Sequence, residues 1–161
     1  MIFWCEKVEG GTKPFLNDVE ITQLQNELNV QFPKSYIEKL KKQNGGQVVF
    51  NAISVDFENT WSEPDSTLHL PFYAMESLTY DTYNLYKGIL PEWGIHGKNM
   101  IFAESEGIYW YYFKFSDDSN NPSIWCLDIS DVSNHLVAYS FDELLTKLYV
   151  QKSEPLDLDD V

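Results

Sequence analysis

The sequence predicts a single α+β domain with a central, mostly antiparallel sheet of about five to six strands, flanked by N-terminal helices and a C-terminal helix. Three observations support this fold class. Two amphipathic helical patterns occupy residues 17–29 and 32–46, a strand-rich stretch follows around an aromatic hairpin at residues 99–115, and a last helical pattern begins at Ser140. A chain of 161 residues has the length of one ordinary domain and can bury a core without disulfides.

The first helix is predicted to begin at Asn17. The Asn17 side chain can accept a backbone N–H as the N-cap, and Glu20, three residues on, can reciprocate in a capping box. Apolar residues follow at helical spacing, at Ile21, Leu24 and Leu28. Asn29 tolerates the left-handed conformation and is expected to end the helix.

The second helix is predicted to start with Pro33 at its first position, where a missing N–H costs nothing. Its end is expected at Asn44-Gly45-Gly46, because glycine adopts the left-handed C-cap freely. The buried face consists of Tyr36, Ile37 and Leu40, and the outer face carries Lys34, Lys39, Lys41 and Lys42. Given the acidic character of the whole chain, solvation and compensation of the helix dipole explain these lysines better than nucleic-acid binding does.

The central hairpin is predicted to pair Met100–Ala103 with Ile108–Phe115 through the turn Glu104–Gly107, in which Gly107 can take a positive φ. Because side chains alternate across a strand, one face carries Trp110 and Tyr112 while the other carries Tyr109, Tyr111, Phe113 and Phe115. Such a strand suits the middle of a sheet covered on both sides. The alternative, that one face stays open as a functional aromatic surface, remains open at this point.

The remaining elements follow in order along the chain. One or two strands are predicted in residues 47–57, a short strand in 68–74, a helix within 77–87 closed by Gly88, a turn at 90–94, a polar turn at 116–122 and a strand in 123–129. Ser140 and Glu143 repeat the capping box. The last helix carries its apolar stripe at Leu144, Leu145, Leu148 and Tyr149. We assign residues 1–152 to the domain and residues 153–161 to an acidic tail.

The net charge of the chain favours some classes of binding partner and argues against others. The chain has 25 Asp and Glu against 11 basic residues, all of them lysine, and its formal net charge is -14. Arginine is the residue that most often binds phosphate through two hydrogen bonds. Its absence and the negative net charge argue against nucleic acid and acidic membranes as partners. The same charge attracts a basic protein. Acidic residues can also serve only to keep a protein in solution, without any partner. Both interpretations of the charge stay open.

No pattern for catalysis or cofactor binding stands out. His69, His96 and His135 lack metal-ligand spacing, and nucleophile elbows, phosphate loops and dinucleotide loops are absent. Cys5 and Cys126 are far apart and are expected to be reduced, buried thiols. The chain start has no basic n-region, and no apolar run reaches the ~18–20 residues that span a bilayer. We therefore predict a non-enzymatic, cytoplasmic protein without cofactor or metal.

Several of these residues resemble the opening signature of SMI1/KNR4 domains, the SUKH superfamily. The signature comprises Leu24-x3-Leu28, Asn29-Val30, Phe32-Pro33-x2-Tyr36-x3-Leu40 and Asn44-Gly45-Gly46, and later parts fit in order over roughly residues 17–150. Asn29 stands where glycine is usual and Phe32 where leucine is. The turn at Glu104–Gly107 also departs from the Asp-Gly-x-Gly-like turn of many members.

The resemblance implies a SUKH-like fold and an immunity function, because many bacterial members neutralise a toxin encoded beside them. A cognate toxin of the basic, nuclease type would complement the charge of this chain, which would occlude the toxin's active site. The alternative is a regulatory or scaffold module of the SMI1/KNR4 type, and homodimerisation is left open. Loop placement and charge select the expected partner-binding residues: Asp56, Glu58, Trp61, Glu63, Asp65, Glu104, Glu106, Asp117 and Asp118.

Overall fold

The computed structural model describes residues 2–5, 15–62, 67–116 and 121–152. Its elements are, in order, α1 (Asp18–Leu28), α2 (Lys34–Lys42), β1 (Gly46–Gln47), β2 (Ala52–Ser54), β3 (His69–Pro71), β4 (Ala74–Met75), α3 (Tyr80–Tyr86), α4 (Ile89–Glu92), β5 (Asn99–Ser105), β6 (Tyr109–Lys114), β7 (Ser123–Asp128), β8 (Ser133–Ala138), α5 (Phe141–Lys147) and β9 (Leu148–Tyr149). Within the described part of the chain, no helix combines the length and apolar character needed to cross a membrane. The predicted acidic tail, residues 153–161, lies outside the described residues.

The strands form antiparallel sheets, which confirms the predicted α+β class. The largest sheet has the order β5-β6-β7-β8, a second has the order β3-β2-β9, and β1 pairs with β4. The predicted strands are thus divided among three sheets, the largest of four strands. Every neighbouring pair in these sheets is antiparallel.

The aromatic hairpin has the predicted strands and a tighter turn. Glu106 (φ 59°) and Gly107 (φ 67°) both have positive φ, and the Ile108 N–H donates to the Ser105 carbonyl at 3.1 Å. Because Ser105 pairs with Tyr109, three residues, 106–108, connect the two strands. Glu104 and Ser105, predicted in the turn, therefore belong to β5.

Both faces of β6 contribute buried aromatic residues, as its alternation predicts. Tyr111 and Phe113 join the main core between the large sheet and the helices, where Phe113 lies 4.9 Å from Tyr36 of α2 between ring centroids. Tyr112 faces the other way into a smaller cluster with buried partners Leu90, Ile101 and Leu127. The β6 strand therefore lies between two apolar clusters and contributes side chains to both.

The two ends of α1 agree with the predicted caps, whereas both ends of α2 differ from the prediction. Asn17 Oδ1 accepts from the Val19 N–H at 2.8 Å, and Asn29 ends α1 in the left-handed conformation (φ 53°). Pro33 is the N-cap residue of α2 rather than its first helical residue, and the helix ends at Lys42 before an extended Gln43. The glycines that follow thus do not serve as the predicted C-cap.

Gly45 is instead required by a close approach of two backbone segments. It has φ +93°, and a Cβ placed on it would lie 2.5 Å from the backbone nitrogen of Ser77. The neighbouring Asn44 is buried and joins the same segment, since its side chain accepts from the Leu78 N–H at 2.8 Å. Together these residues fix the α2–β1 connection to the chain before α3.

Four other assignments are corrected by tertiary pairing. Residues 90–94 were predicted as a turn, and most of them belong to the short helix α4. One strand was predicted in residues 68–74, and the structure has two there, β3 and the start of β4. No strand was predicted where β8 lies. Leu148 and Tyr149, predicted in the last helix, form β9, in which Leu148 pairs with Ile53 of β2. The sheet partner outweighs the helical pattern there, because pairing satisfies backbone groups at the exit from α5.

Candidate functional site

The loop after β2 is held by the backbone of His69. Its carbonyl oxygen accepts from Asn59 Nδ2 at 3.1 Å and from the Ser62 hydroxyl at 2.8 Å, and its N–H donates to that hydroxyl at 2.9 Å. Asn59 Oδ1 in turn accepts the Trp61 N–H at 2.9 Å. The loop carrying Asp56 and Glu58 is therefore fixed by hydrogen bonds at its far end.

Thr60 attaches the same loop to the large sheet. Its hydroxyl donates to Asp128 Oδ2 at 2.6 Å and lies 2.9 Å from the Tyr109 hydroxyl. Asp128 is only 1% exposed, and Ser130 donates its N–H and its hydroxyl to Oδ1 at 3.0 and 2.5 Å. Three hydrogen bonds thus compensate the burial of this carboxylate and join the loop to β6 and to the β7–β8 turn.

The β5–β6 turn presents two carboxylates with different contacts. Glu104 Oε2 accepts the Gly107 N–H at 2.9 Å, and Glu104 lies opposite Trp110 on the sheet. Glu106 accepts a hydrogen bond from the Tyr73 hydroxyl at 2.6 Å. Burial raises the pKa of the Tyr73 phenol, and the Glu106 carboxylate raises it further, so the phenol remains a hydrogen-bond donor.

These segments meet at one end of the large sheet. Tyr109 pairs with Ser105 on one side and with Asp128 on the other, and it contacts Thr60. The pKa of the Tyr109 phenol is raised by burial first and then by the nearby Asp128 and Glu106 carboxylates. We call this region the acidic end and define it by Asp56, Glu58, Glu104, Glu106, Asp128 and Asp131.

Lysines lie away from the acidic end in the residues that the structure describes. Lys98 and Lys114 mark the opposite end of the hairpin, where Lys114 pairs with Asn99 and the Phe115 N–H donates to the Lys98 carbonyl. The other described lysines are on α2, at the ends of α3 and α5, or beyond β9, namely Lys34, Lys39, Lys41, Lys42, Lys87, Lys147 and Lys152. Among the described residues, the two ends of the hairpin therefore carry side chains of opposite charge.

The structure describes five of the nine predicted binding residues, and four of them, all except Trp61, belong to the acidic end. Asp56, Glu58 and Glu106 are exposed, and Trp61 and Glu104 are half-buried. The Trp61 ring meets the ring of His69 edge to face, at 4.7 Å between centroids. Glu63, Asp65, Asp117 and Asp118 lie outside the described residues.

Sequence reasoning missed Thr60, Asp128 and Asp131. A local signal existed for the two aspartates, because an Asp-x-Ser sequence begins at each of Asp128 and Asp131. In each case an aspartate Oδ1 accepts the N–H of the serine two residues on, at 3.0 and 3.1 Å, which is the Asx-turn contact. No local signal marks Thr60, since its partners are distant in sequence.

The described residues offer little for catalysis. Among them, no group of three or more His, Cys, Asp or Glu side chains could hold a metal ion. Cys126 is fully buried, and burial raises the pKa of its thiol well above the usual range, so it stays protonated. His69 is buried with Nδ1 2.9 Å from the Tyr149 hydroxyl, and burial lowers the pKa of its imidazole. What the arrangement supplies is a fixed, negatively charged surface.

A family model described as the SMI1 / KNR4 family (SUKH-1) matches residues 16–147. This range covers the described elements from α1 to the end of α5 and includes the signature residues quoted above. No curated protein and no solved structure gives a significant match to the chain.

Proposed function

Because the chain belongs to the SMI1/KNR4 family (SUKH-1), which includes immunity proteins, we propose that it binds and neutralises a cognate protein toxin. The proposed toxin is basic and of the nuclease type, and the chain acts by covering its active site. This function needs a rigid surface and no catalytic step. Regulatory members exist in the family as well, so the partner's identity is what distinguishes the two functions.

One observation carries the proposal: carboxylates from three separate segments converge at the acidic end. The loop after β2 supplies Asp56 and Glu58, the β5–β6 turn supplies Glu106, and the β7–β8 turn supplies Asp131. A nuclease active site and its substrate groove attract phosphate with positive charge. Carboxylates grouped on one surface complement such a site, and the field speeds the encounter by roughly 10–10³-fold at low salt.

The hydrogen bonds behind this surface reduce the cost of binding. The Thr60–Asp128 contact and the Asn59–His69 contact hold the loop before any partner arrives. A surface fixed in the free protein loses less conformational entropy on association than a mobile loop does. The proposal therefore predicts that the free and bound loops share one conformation.

The direct experiment is co-expression with the product of the neighbouring gene, followed by affinity capture. We expect a stable complex with a large protein that has a basic nuclease-type C-terminal domain, together with relief of its toxicity. Capture of a signalling protein without toxicity would favour the regulatory function. Turnover of a substrate by this chain alone, or a tight complex with RNA or DNA, would contradict both.

Charge reversal then maps the interface. The variant Asp56→Lys/Glu58→Lys should weaken binding of the captured toxin by roughly tenfold or more, chiefly through k_on, because both side chains are exposed at the acidic end. Asp142→Lys provides the control, since Asp142 is exposed at the start of α5 on another side of the fold. Thermal unfolding should change little in either variant. Equal effects of the two variants on k_on would remove the loop from the interface, and the same test applies to Glu63 and Asp65.

A further inference from the structure

The large sheet has a second face that is only partly covered. On the β5 side, Leu90 of α4 packs in the smaller cluster and is buried. Toward β7 and β8 the side chains on this face remain partly exposed, namely Trp110, Trp125 and Leu136. Toward β7 and β8 this face therefore carries partly exposed tryptophan side chains.

Trp110 has acidic and aromatic neighbours on this face. Glu104 lies directly opposite it on β5, and such cross-strand pairs place Cβ atoms about 4.5–5.5 Å apart. The Tyr86 ring lies 5.5 Å from the Trp110 ring between centroids, at an interplanar angle of 58°. Glu76 and Glu104 are both close enough to Tyr86 to raise the pKa of its phenol, after the larger effect of burial. We call Glu76, Tyr86, Glu104 and Trp110 the Trp110 patch.

The patch has the chemistry that binds a guanidinium group. The face of an indole ring attracts cations, and a planar guanidinium can stack on it while donating two hydrogen bonds to a carboxylate. The carboxylate of Glu104 is already oriented by the Gly107 N–H. Glu104 therefore offers its remaining acceptor sites in a fixed position beside the ring.

The chain itself provides a precedent on the neighbouring indole. Lys114 Nζ lies 4.7 Å from the centroid of the Trp125 ring, on the same face of the sheet. Among the described residues, the other lysine placed over an aromatic ring is Lys39, whose Nζ lies 5.2 Å from the centroid of the Phe3 ring. The chain contains no arginine, so a guanidinium for this patch has to come from another molecule.

We infer that the Trp110 patch receives an arginine side chain from the basic protein partner. The inference rests on the proposed function for the nature of the partner and adds a chemical specificity for arginine over lysine. Glu104 belongs both to the acidic end and to the patch, so one partner surface can contact both. Trp110 is then the aromatic anchor of the interface, surrounded by carboxylates.

The test requires no knowledge of the natural partner. The labelled protein is titrated with nona-arginine and with nona-lysine, and the indole N–H resonances are followed by NMR. We expect the Trp110 resonance to shift most, and to shift more with nona-arginine than with nona-lysine. The exposed Trp93 serves as the internal control. A largest shift at Trp93 or Trp61, or equal shifts with the two peptides, would overturn the inference.

Matched variants test the two halves of the patch. Trp110→Leu and Glu104→Gln should each weaken nona-arginine binding roughly two- to fivefold, the size of one exposed cation–π contact or charge pair. Trp93→Leu and Asp142→Asn make the same chemical changes elsewhere on the surface and should have smaller effects. If Trp110→Leu disturbs folding, the wild-type titration and Glu104→Gln still decide.

The outcome also separates this inference from the proposed function. If a captured toxin binds Glu104→Gln and Trp110→Leu as tightly as wild type, the patch is not part of the interface and the immunity function stands. If nona-arginine selects the patch while the neighbouring gene yields no partner, the patch stands and the proposed function fails.

Discussion

The hydroxyl of Thr60 lies within hydrogen-bond distance of three other side chains. It donates to Asp128, lies next to the Tyr109 hydroxyl and lies 3.1 Å from the Ser130 hydroxyl, whose proton goes to Asp128. Thr60 itself is exposed, whereas Asp128 is buried. An exposed residue of the loop is therefore one of the groups that satisfy a buried carboxylate, and the position of the loop depends on that bond.

The variant Thr60→Val tests this dependence. We expect a loss of about 1–3 kcal/mol in the free energy of unfolding, because the Asp128 carboxylate stays buried with one hydrogen bond fewer. Urea denaturation measures the loss. Thr60→Ser keeps the hydroxyl and should restore most of it. Thr146→Val is the control, since the Thr146 hydroxyl is exposed and bonds only the Glu143 carbonyl within α5. A stability equal to wild type would show that Asp128 is satisfied without Thr60.

At this scale, sequence reasoning succeeded where a residue's partner is close in the chain. Asn17 and Ser140 cap their helices as predicted, and each accepts from a backbone N–H two or three residues on. Thr60 was missed because its carboxylate partner lies 68 positions away. The predicted acids Asp56 and Glu58 came from loop placement and charge, and their role in binding remains a prediction.

Among the elements, α2 and β1 are joined by a connection that only glycine fits. A side chain at Gly45 would meet the backbone of Ser77 at 2.5 Å and would also be strained by the positive φ. The structure thereby couples the end of α2 to the segment that precedes α3. The family signature Asn44-Gly45-Gly46 acquires a physical reason that differs from helix capping.

The pair Gly45→Ala and Gly88→Ala tests this reason. Gly45→Ala should lower the free energy of unfolding by more than about 2 kcal/mol, since backbone has to move and the φ is unfavourable for alanine. Gly88 has φ -88°, and a Cβ there meets nothing within 4 Å. Gly88→Ala should therefore be neutral or stabilise by up to about 1 kcal/mol. Thermal and urea unfolding of both variants provide the comparison, and equal losses would contradict the close-approach explanation.

Apolar periodicity predicted α1, α2 and the central hairpin well, since those patterns are local and strong. It failed at Leu148 and Tyr149, where the helical stripe continues in sequence but the backbone pairs with β2. It also missed β8, which has only two buried residues, Val137 and Ala138. A strand with so little burial gives no alternation to detect, and the partner strand alone defines it.

Over the whole molecule, the net charge of -14 matters through its distribution. Among the described residues, carboxylates gather at the acidic end, whereas Lys98 and Lys114 lie at the opposite end of the hairpin. Acidic residues that served only to keep the protein in solution would not need to be grouped in this way. The composition of the sequence predicts that the chain is acidic. The location of the carboxylates follows from the antiparallel pairing, which places the β5–β6 and β7–β8 turns at the same end of the sheet.

Salt dependence of association tests this distribution. Between about 0.05 and 0.5 M salt, k_on for the captured partner should fall roughly tenfold or more while k_off changes little, because screening acts on the encounter. Stopped-flow or surface-based kinetics measure both constants. Association at equal rates across this range would indicate an interface made by the aromatic face of the sheet without electrostatic steering.

The position of β9 has a consequence for how the cell produces this protein. β2 lies between β3 and β9, and Asn51 is joined to Gln151 by two hydrogen bonds across 100 positions of the chain. At ribosomal speeds of about 5–20 residues per second, β9 is synthesised about 5–20 s after β2. Nascent chains therefore lack this sheet neighbour for that interval, so the proposed immunity function depends on copies that were completed before a toxin arrives.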